Sequence, residues 1–138
     1  MFIKISLYIV LGIALIALML FVLNRLYSYE IIESDYSFKG EIEQIAFASV
    51  IDGADKITVS GKEILVFPSM ALVNKEPVGK MLDADGSILT ANYISMTKDK
   101  FIGKKVEVFC RKIIFTRDNK ERLELIGKDS YYIKILPN

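Results

Sequence analysis

Five basic residues fall within twelve positions: Arg111, Lys112, Arg117, Lys120 and Arg122, with Phe109, Phe115, Tyr131 and Tyr132 close by. Cations that neutralise phosphates, set beside rings that stack on bases, are the chemistry of single-stranded nucleic acid or another polyanion. Asp118, Glu121 and Glu124 are interleaved with them, which also describes a mixed, solvated face. The acidic residues to weigh are Asp52 and Asp55, on either side of Gly53-Ala54. Carboxylates at such spacing hold hard cations. An Asp in this setting also hydrogen-bonds its own backbone and forms a turn. Arg122 reads either as a phosphate contact or as an exposed strand residue opposite a carboxylate.

Composition excludes several reaction classes. The chain has no histidine and a single cysteine. Ser-His and Cys-His nucleophile pairs are therefore impossible, and a zinc site has almost nothing to bind with. Cys110 stands alone, so no internal disulfide forms, and within Val106-Glu107-Val108-Phe109-Cys110 it reads as a small buried side chain of a strand. No metal and no cofactor are expected.

The element that places everything else is Ile5 to Leu23, nineteen residues without a charge. As a helix this run is about 28 Å long, close to the hydrocarbon thickness of a bilayer. A cleavable signal has a shorter apolar core followed by a small-x-small site, and Phe21-Val22-Leu23-Asn24-Arg25 offers none. A lipoprotein signal would need a cysteine just past the run. The expectation is an uncleaved anchor over residues 1–25, apolar all round, unlike a core helix with a polar stripe. Lys4 and the terminal amine precede the run and Arg25 follows it, which favours an amino terminus in the cytoplasm. The expected setting is a single-pass protein of a bacterial inner membrane, with its carboxyl-terminal domain outside the cytoplasm.

Residues 26–37 read as a juxtamembrane linker, whose tyrosines Tyr27, Tyr29 and Tyr36 suit either the headgroup layer or the start of the core. Residues 38–138 are enough for one domain. Lys4 and Arg25 aside, 16 of the 18 basic residues remain to set against 17 acidic ones, so strong sequence-independent affinity for anions is not expected. From Phe38 the apolar period becomes roughly two, the mark of strands. The phase slips between Ile42 and Ile45, which predicts a bulge and a sharp bend. Lys56–Val59 and Lys62–Phe67 read as a hairpin about Ser60-Gly61. A helix is expected over 88–100, with Leu89, Tyr93 and Met96 on one face. Strands are expected over 104–115, 122–126 and 131–136, with a turn at Arg117-Asp118-Asn119-Lys120. Three strands, a helix, then two or three strands is the plan of a mainly β, five-stranded OB-like Greek-key barrel. A β-sandwich of immunoglobulin type is the alternative.

Val50-Ile51-Asp52-Gly53-Ala54-Asp55-Lys56-Ile57-Thr58-Val59 followed by Gly61-Lys62-Glu63-Ile64 resembles the first hairpin of staphylococcal-nuclease-like domains, which are OB-folds. Phe101-Ile102-Gly103-Lys104-Lys105-Val106-Glu107-Val108 resembles that family's step from helix into fourth strand. The resemblance spans about 38–126 and needs one inserted residue, Ala54. It implies a calcium-dependent nuclease site to which Asp55 and Arg122 would correspond. Phe67 stands where the family's third strand supplies an arginine, and Pro68-Ser69-Met70-Ala71 where it has D-x-P-E. Phosphoryl transfer needs those oxygen ligands and that positioned charge.

Three functions are therefore open. The first is a membrane-anchored, non-catalytic binding module that meets a protein partner by a strand edge or loop face and aids assembly at the cell envelope. The second is an anchored module for polyanions or single-stranded nucleic acid, with Arg111, Lys112, Arg117, Lys120, Arg122 and Tyr131 as its ligand face. The third is a divergent phosphodiesterase. The expectation is the first.

Overall fold

The computed structural model of the chain describes residues 2–27, 30–47, 55–67 and 76–138. Tyr29, Asp52 and the segment Pro68-Ser69-Met70-Ala71 lie outside them. Helix α1 is Phe2–Tyr27. Its Ile3–Leu26 portion, 24 residues, is long and apolar enough to cross a membrane, and none of it is buried against the rest of the chain. A helix apolar on every side has no face suited to water.

Among the described residues eight strands follow: β1 (Ile31–Ala46), β2 (Asp55–Val59), β3 (Lys62–Phe67), β4 (Lys80–Leu82), β5 (Ile88–Leu89), β6 (Lys105–Phe115), β7 (Lys120–Glu124) and β8 (Tyr132–Ile135). A short helix α2 (Ala91–Met96) and a 3-10 turn (Lys98–Lys100) separate β5 from β6. Five strands close into a barrel in the order β1-β2-β3-β7-β6 and back to β1. Neighbours in it are antiparallel except β3 and β7, which are parallel through Ile64↔Leu123 and Leu65↔Glu124. With a helix between the third and fourth barrel strands, this is the OB-like barrel and not a sandwich. Strands β8, β4 and β5 extend the sheet from β6.

Local chemistry explains the joints. Ser60 and Gly61 both take positive φ, 46° and 79°, which two-residue hairpin turns require to match strand twist. The register of β1 shifts between Ile42 and Gln44, so Ile42 and Ile45 are both buried although three residues apart. That bulge turns β1 from one partner to another. Ile31 to Glu41 pair with β6, and Ile42 to Ala46 with β2. The barrel interior is filled by Ile42, Ile57, Val59, Ile64, Val66, Val106, Val108, Cys110 and Leu123, each at most 5 % exposed.

Two expected boundaries move. Residues 31–37 form the first half of β1 and not a linker, because a ladder is made by main-chain groups and tolerates the polar Glu33, Ser34, Asp35 and Ser37. The helix expected over 88–100 begins at Thr90, whose side-chain oxygen accepts the Tyr93 N–H, and six residues place only Ile94 in the core. Leu89 is buried from β5, whereas Tyr93 and Met96 are exposed.

Candidate functional site

Successive strand residues face opposite sides, so the sheet itself divides the basic residues. Lys112 continues the inward row of Val106, Val108 and Cys110 to the end of the barrel interior. Its Nζ lies 4.5 Å from the Tyr36 ring centroid and 3.3 Å from a Glu121 oxygen. Lys62 approaches the same ring, with Nζ 4.8 Å from the Tyr36 centroid and 4.7 Å from that of Phe38, and donates to the Tyr36 hydroxyl at 2.5 Å. Two ammonium groups thus share one tyrosine. Just below, burial pushes the Cys110 thiol up to about 11, so it stays protonated at neutral pH.

Arg111 faces the other way and is held in place by carboxylates. Its Nε and Nη2 donate to one oxygen of Glu124 at 2.9 and 2.5 Å. Glu76 and Glu33 lie 3.4 and 3.9 Å from the guanidinium, and the second Glu124 oxygen is 3.3 Å from Arg122 Nε. Burial disfavours the Arg111 charge, but the hydrogen bonds and charge of Glu124, with Glu76 and Glu33 behind, outweigh it and raise its pKa. Gly127, at φ 118°, leaves room for this: a Cβ there would stand 3.0 Å from Arg111 Nη1. Alongside runs a cleft of about 380 Å³ lined by Glu33, Ser34, Asp35, Arg111, Gly127, Lys128 and Tyr131. The Tyr131 hydroxyl donates to Asp35 at 2.6 Å and Lys128 Nζ at 2.9 Å. Its charges pair with one another, leaving none over for an anion.

Those two donors, Tyr131 first and Lys128 second, hold the Asp35 carboxyl below its ordinary value of 3.8. A carboxyl so depressed stabilises the fold above its unfolded pKa, and the contribution is lost as pH falls through the folded value. Tyr131→Phe keeps the ring, which stacks edge-on to Phe109 at 5.2 Å, and removes the donor. Urea unfolding of the full chain in detergent is expected to find the variant less stable than wild type at about pH 7, with the gap closing below about pH 4. A gap independent of pH would reject that coupling.

The other basic residues lie at and beside the β6–β7 turn. Arg117 sits in the turn joining β6 to β7, Lys120 Nζ is 3.8 Å from Asp118, and the Arg122 guanidinium stands 5.5 Å over the Phe115 ring. Asp55 pairs with Phe67 across β2 and β3, and Phe67 packs edge-on against Phe47 at 5.8 Å. Among the described residues no group of three His, Cys, Asp or Glu is placed to hold a metal ion. Sequence patterning does not single out Lys62, Glu33, Asp35 or Lys128. The alternation of Glu33, Asp35 and Ser37 against Tyr36 and Phe38 is the signal that separates the two faces of β1.

Strand β1 has a second feature. The Thr116 N–H donates to Glu30 O, and the Ile42 N–H to Lys104 O. Hydrogen-bonded pairs alternate along an antiparallel ladder, so the even residues from 30 to 42 bond to β6. The odd residues Ile31, Glu33, Asp35, Ser37 and Lys39 turn their N–H and C=O groups the other way. Only Glu41 is met on that side, by Ser60, whose N–H donates to Glu41 O and whose hydroxyl accepts the Glu41 N–H. Among the described residues nothing pairs with the main chain of the other five, and all five are exposed. From 31 to 39 this open edge is about 27 Å long. No family model, no curated protein and no solved structure matches the chain.

Proposed function

We propose that the chain is a membrane-anchored, non-catalytic binding module that takes an extended segment of a protein partner as an added strand on the open edge of β1. The observation that carries this is the run of five main-chain positions, at odd residues from Ile31 to Lys39, that no described residue pairs with. Strand addition draws its affinity from such groups and its specificity from alternate side chains. Folded proteins usually cover an edge of this length. Here Glu33, Asp35 and Lys39 give it charge, which disfavours indiscriminate pairing.

In this reading α1 is the anchor, and the domain stands outside the cytoplasm of a bacterial inner membrane. Kinship with nuclease-like domains enters as a shared scaffold without its chemistry. The test is a photoreactive residue at Lys39 in the full-length chain in its native membranes. The expected result is one adduct of defined mass, missing when the probe is at Ile102 and abolished by Ser37→Pro. No adduct at Lys39, or one indifferent to the proline, would reject strand addition.

A second reading rests on Lys62 and Lys112 flanking Tyr36 beside Phe38, an arrangement suited to a single-stranded polyanion. It predicts binding of oligonucleotides that weakens steeply with salt and is lost in Lys62→Ala.

A further inference from the structure

We infer that the turn between β6 and β7 rests on the phosphate headgroups of the membrane that α1 spans, with Arg117 and Lys120 as its contacts. The inference builds on the anchor reading and goes beyond it. Its basis is a short covalent path. From Tyr27, the last residue of α1, to Glu30 there are three residue steps, at most about 11 Å of extended chain. Glu30 is then fastened to the turn. Its N–H donates to the Thr116 hydroxyl at 3.0 Å, its carbonyl accepts from that hydroxyl at 2.9 Å, and the same carbonyl accepts the Thr116 N–H at 3.1 Å.

The direction follows from the ladder. Ile31 lies opposite Phe115, and β1 continues from there to Glu41 while β6 runs antiparallel beside it. The turn after Phe115 therefore lies beyond the start of β1, at the end of the barrel where the chain arrives from α1. Leu23, the end of the apolar run, is four residues or about 6 Å before Tyr27, and a headgroup layer is about 5–8 Å thick. Glu30 thus stands at most about 17 Å beyond the apolar run, a span that the turn and the long Arg117 and Lys120 side chains bridge back to that layer.

The side chains suit that level. Arg25, whose guanidinium is 5.9 Å from the Phe21 ring, Arg117 and Lys120 are cations, and Ile31 and Ile32 are exposed apolar residues beside them. Glu30, Asp118 and Glu121 offset the charge, so no long-range pull toward anionic lipid arises. The contact comes from the tether, which makes the local concentration of headgroups high, and is expected on zwitterionic phosphatidylcholine as well.

The test uses the full-length chain in phosphatidylcholine nanodiscs, with spin labels at Leu15→Cys, Arg117→Cys or Ile102→Cys. Cys110 is fully buried and is left unlabelled. Ile102 precedes the far end of β6, about 30 Å along the strand from Phe115. The expected result is a lipid-immersed label at Leu15, and a water-soluble relaxant several-fold less effective at Arg117 than at Ile102. A label at Asp118→Cys, in a chain that keeps Arg117, is expected to behave like that at Arg117 and guards against a local effect of one substitution. A lipid-immersed Leu15 with the turn labels as wet as Ile102 would overturn the headgroup contact alone. A wet Leu15 would overturn the anchor and the contact together.

Discussion

Glu124→Ala is expected to destabilise the barrel by about 3 kcal/mol, the low end of the cost of stripping one partner from a buried ion pair. Glu124 is the one charged side chain among the buried described residues, at 1 % exposure. Its loss removes both short hydrogen bonds of Arg111, whose side chain is only 15 % exposed, and leaves it the more distant Glu76 and Glu33. Those two keep the penalty from the upper end. Arg122, half exposed, turns to water. Against a total stability of about 5–15 kcal/mol this is a large fraction. Chemical denaturation of wild type, Glu124→Ala, Arg111→Ala and the double variant reads it directly. The double variant is expected to lose clearly less than the sum of the singles, because removing both charges leaves neither stranded. Additive losses would mean that the pair is a bystander of strand packing.

Two prolines three residues apart on β1 are expected to do opposite things. Ser37 points its N–H to the open edge, so Ser37→Pro removes a group that no described residue uses, and proline is tolerated on strand edges. Its melting temperature is expected to stay near wild type while the Lys39 adduct disappears. Ser34 points its N–H at Lys112 of β6. Ser34→Pro breaks that ladder bond and strands a carbonyl, at a cost of about 2–4 kcal/mol. A Ser37→Pro chain that melts like wild type and still captures the partner would end the strand-addition proposal. One that melts like Ser34→Pro would show the alternation along β1 to be misassigned.

Much of the fold is legible from neighbouring residues alone. The helix Phe2–Tyr27 needs only an unbroken apolar run, and the Ser60-Gly61 hairpin needs only two positions able to take positive φ between alternating strands. The bend of β1 shows in the slip from Ile42 to Ile45. The buried Cys110 follows from the inward row it shares with Val106 and Val108. These features are local, and the energies that make them act over a few residues.

The site was legible only in part, because its parts come from distant segments. Arg111 and Lys112 are adjacent in the chain, yet one is fastened to Glu124, Glu76 and Glu33 outside the barrel and the other to Tyr36 and Glu121 at its end. Residues 31–37 look like linker until β6 supplies their ladder. Pairing between residues some eighty positions apart is written in no local pattern. The chain by itself determined an apolar helix, the strand periods and a composition without histidine. Tertiary structure alone decided which cations are already neutralised, which edge of β1 no described residue pairs with, and that the basic turn shares an end of the barrel with the start of β1, since each depends on hydrogen bonds and charges meeting only after the barrel closes.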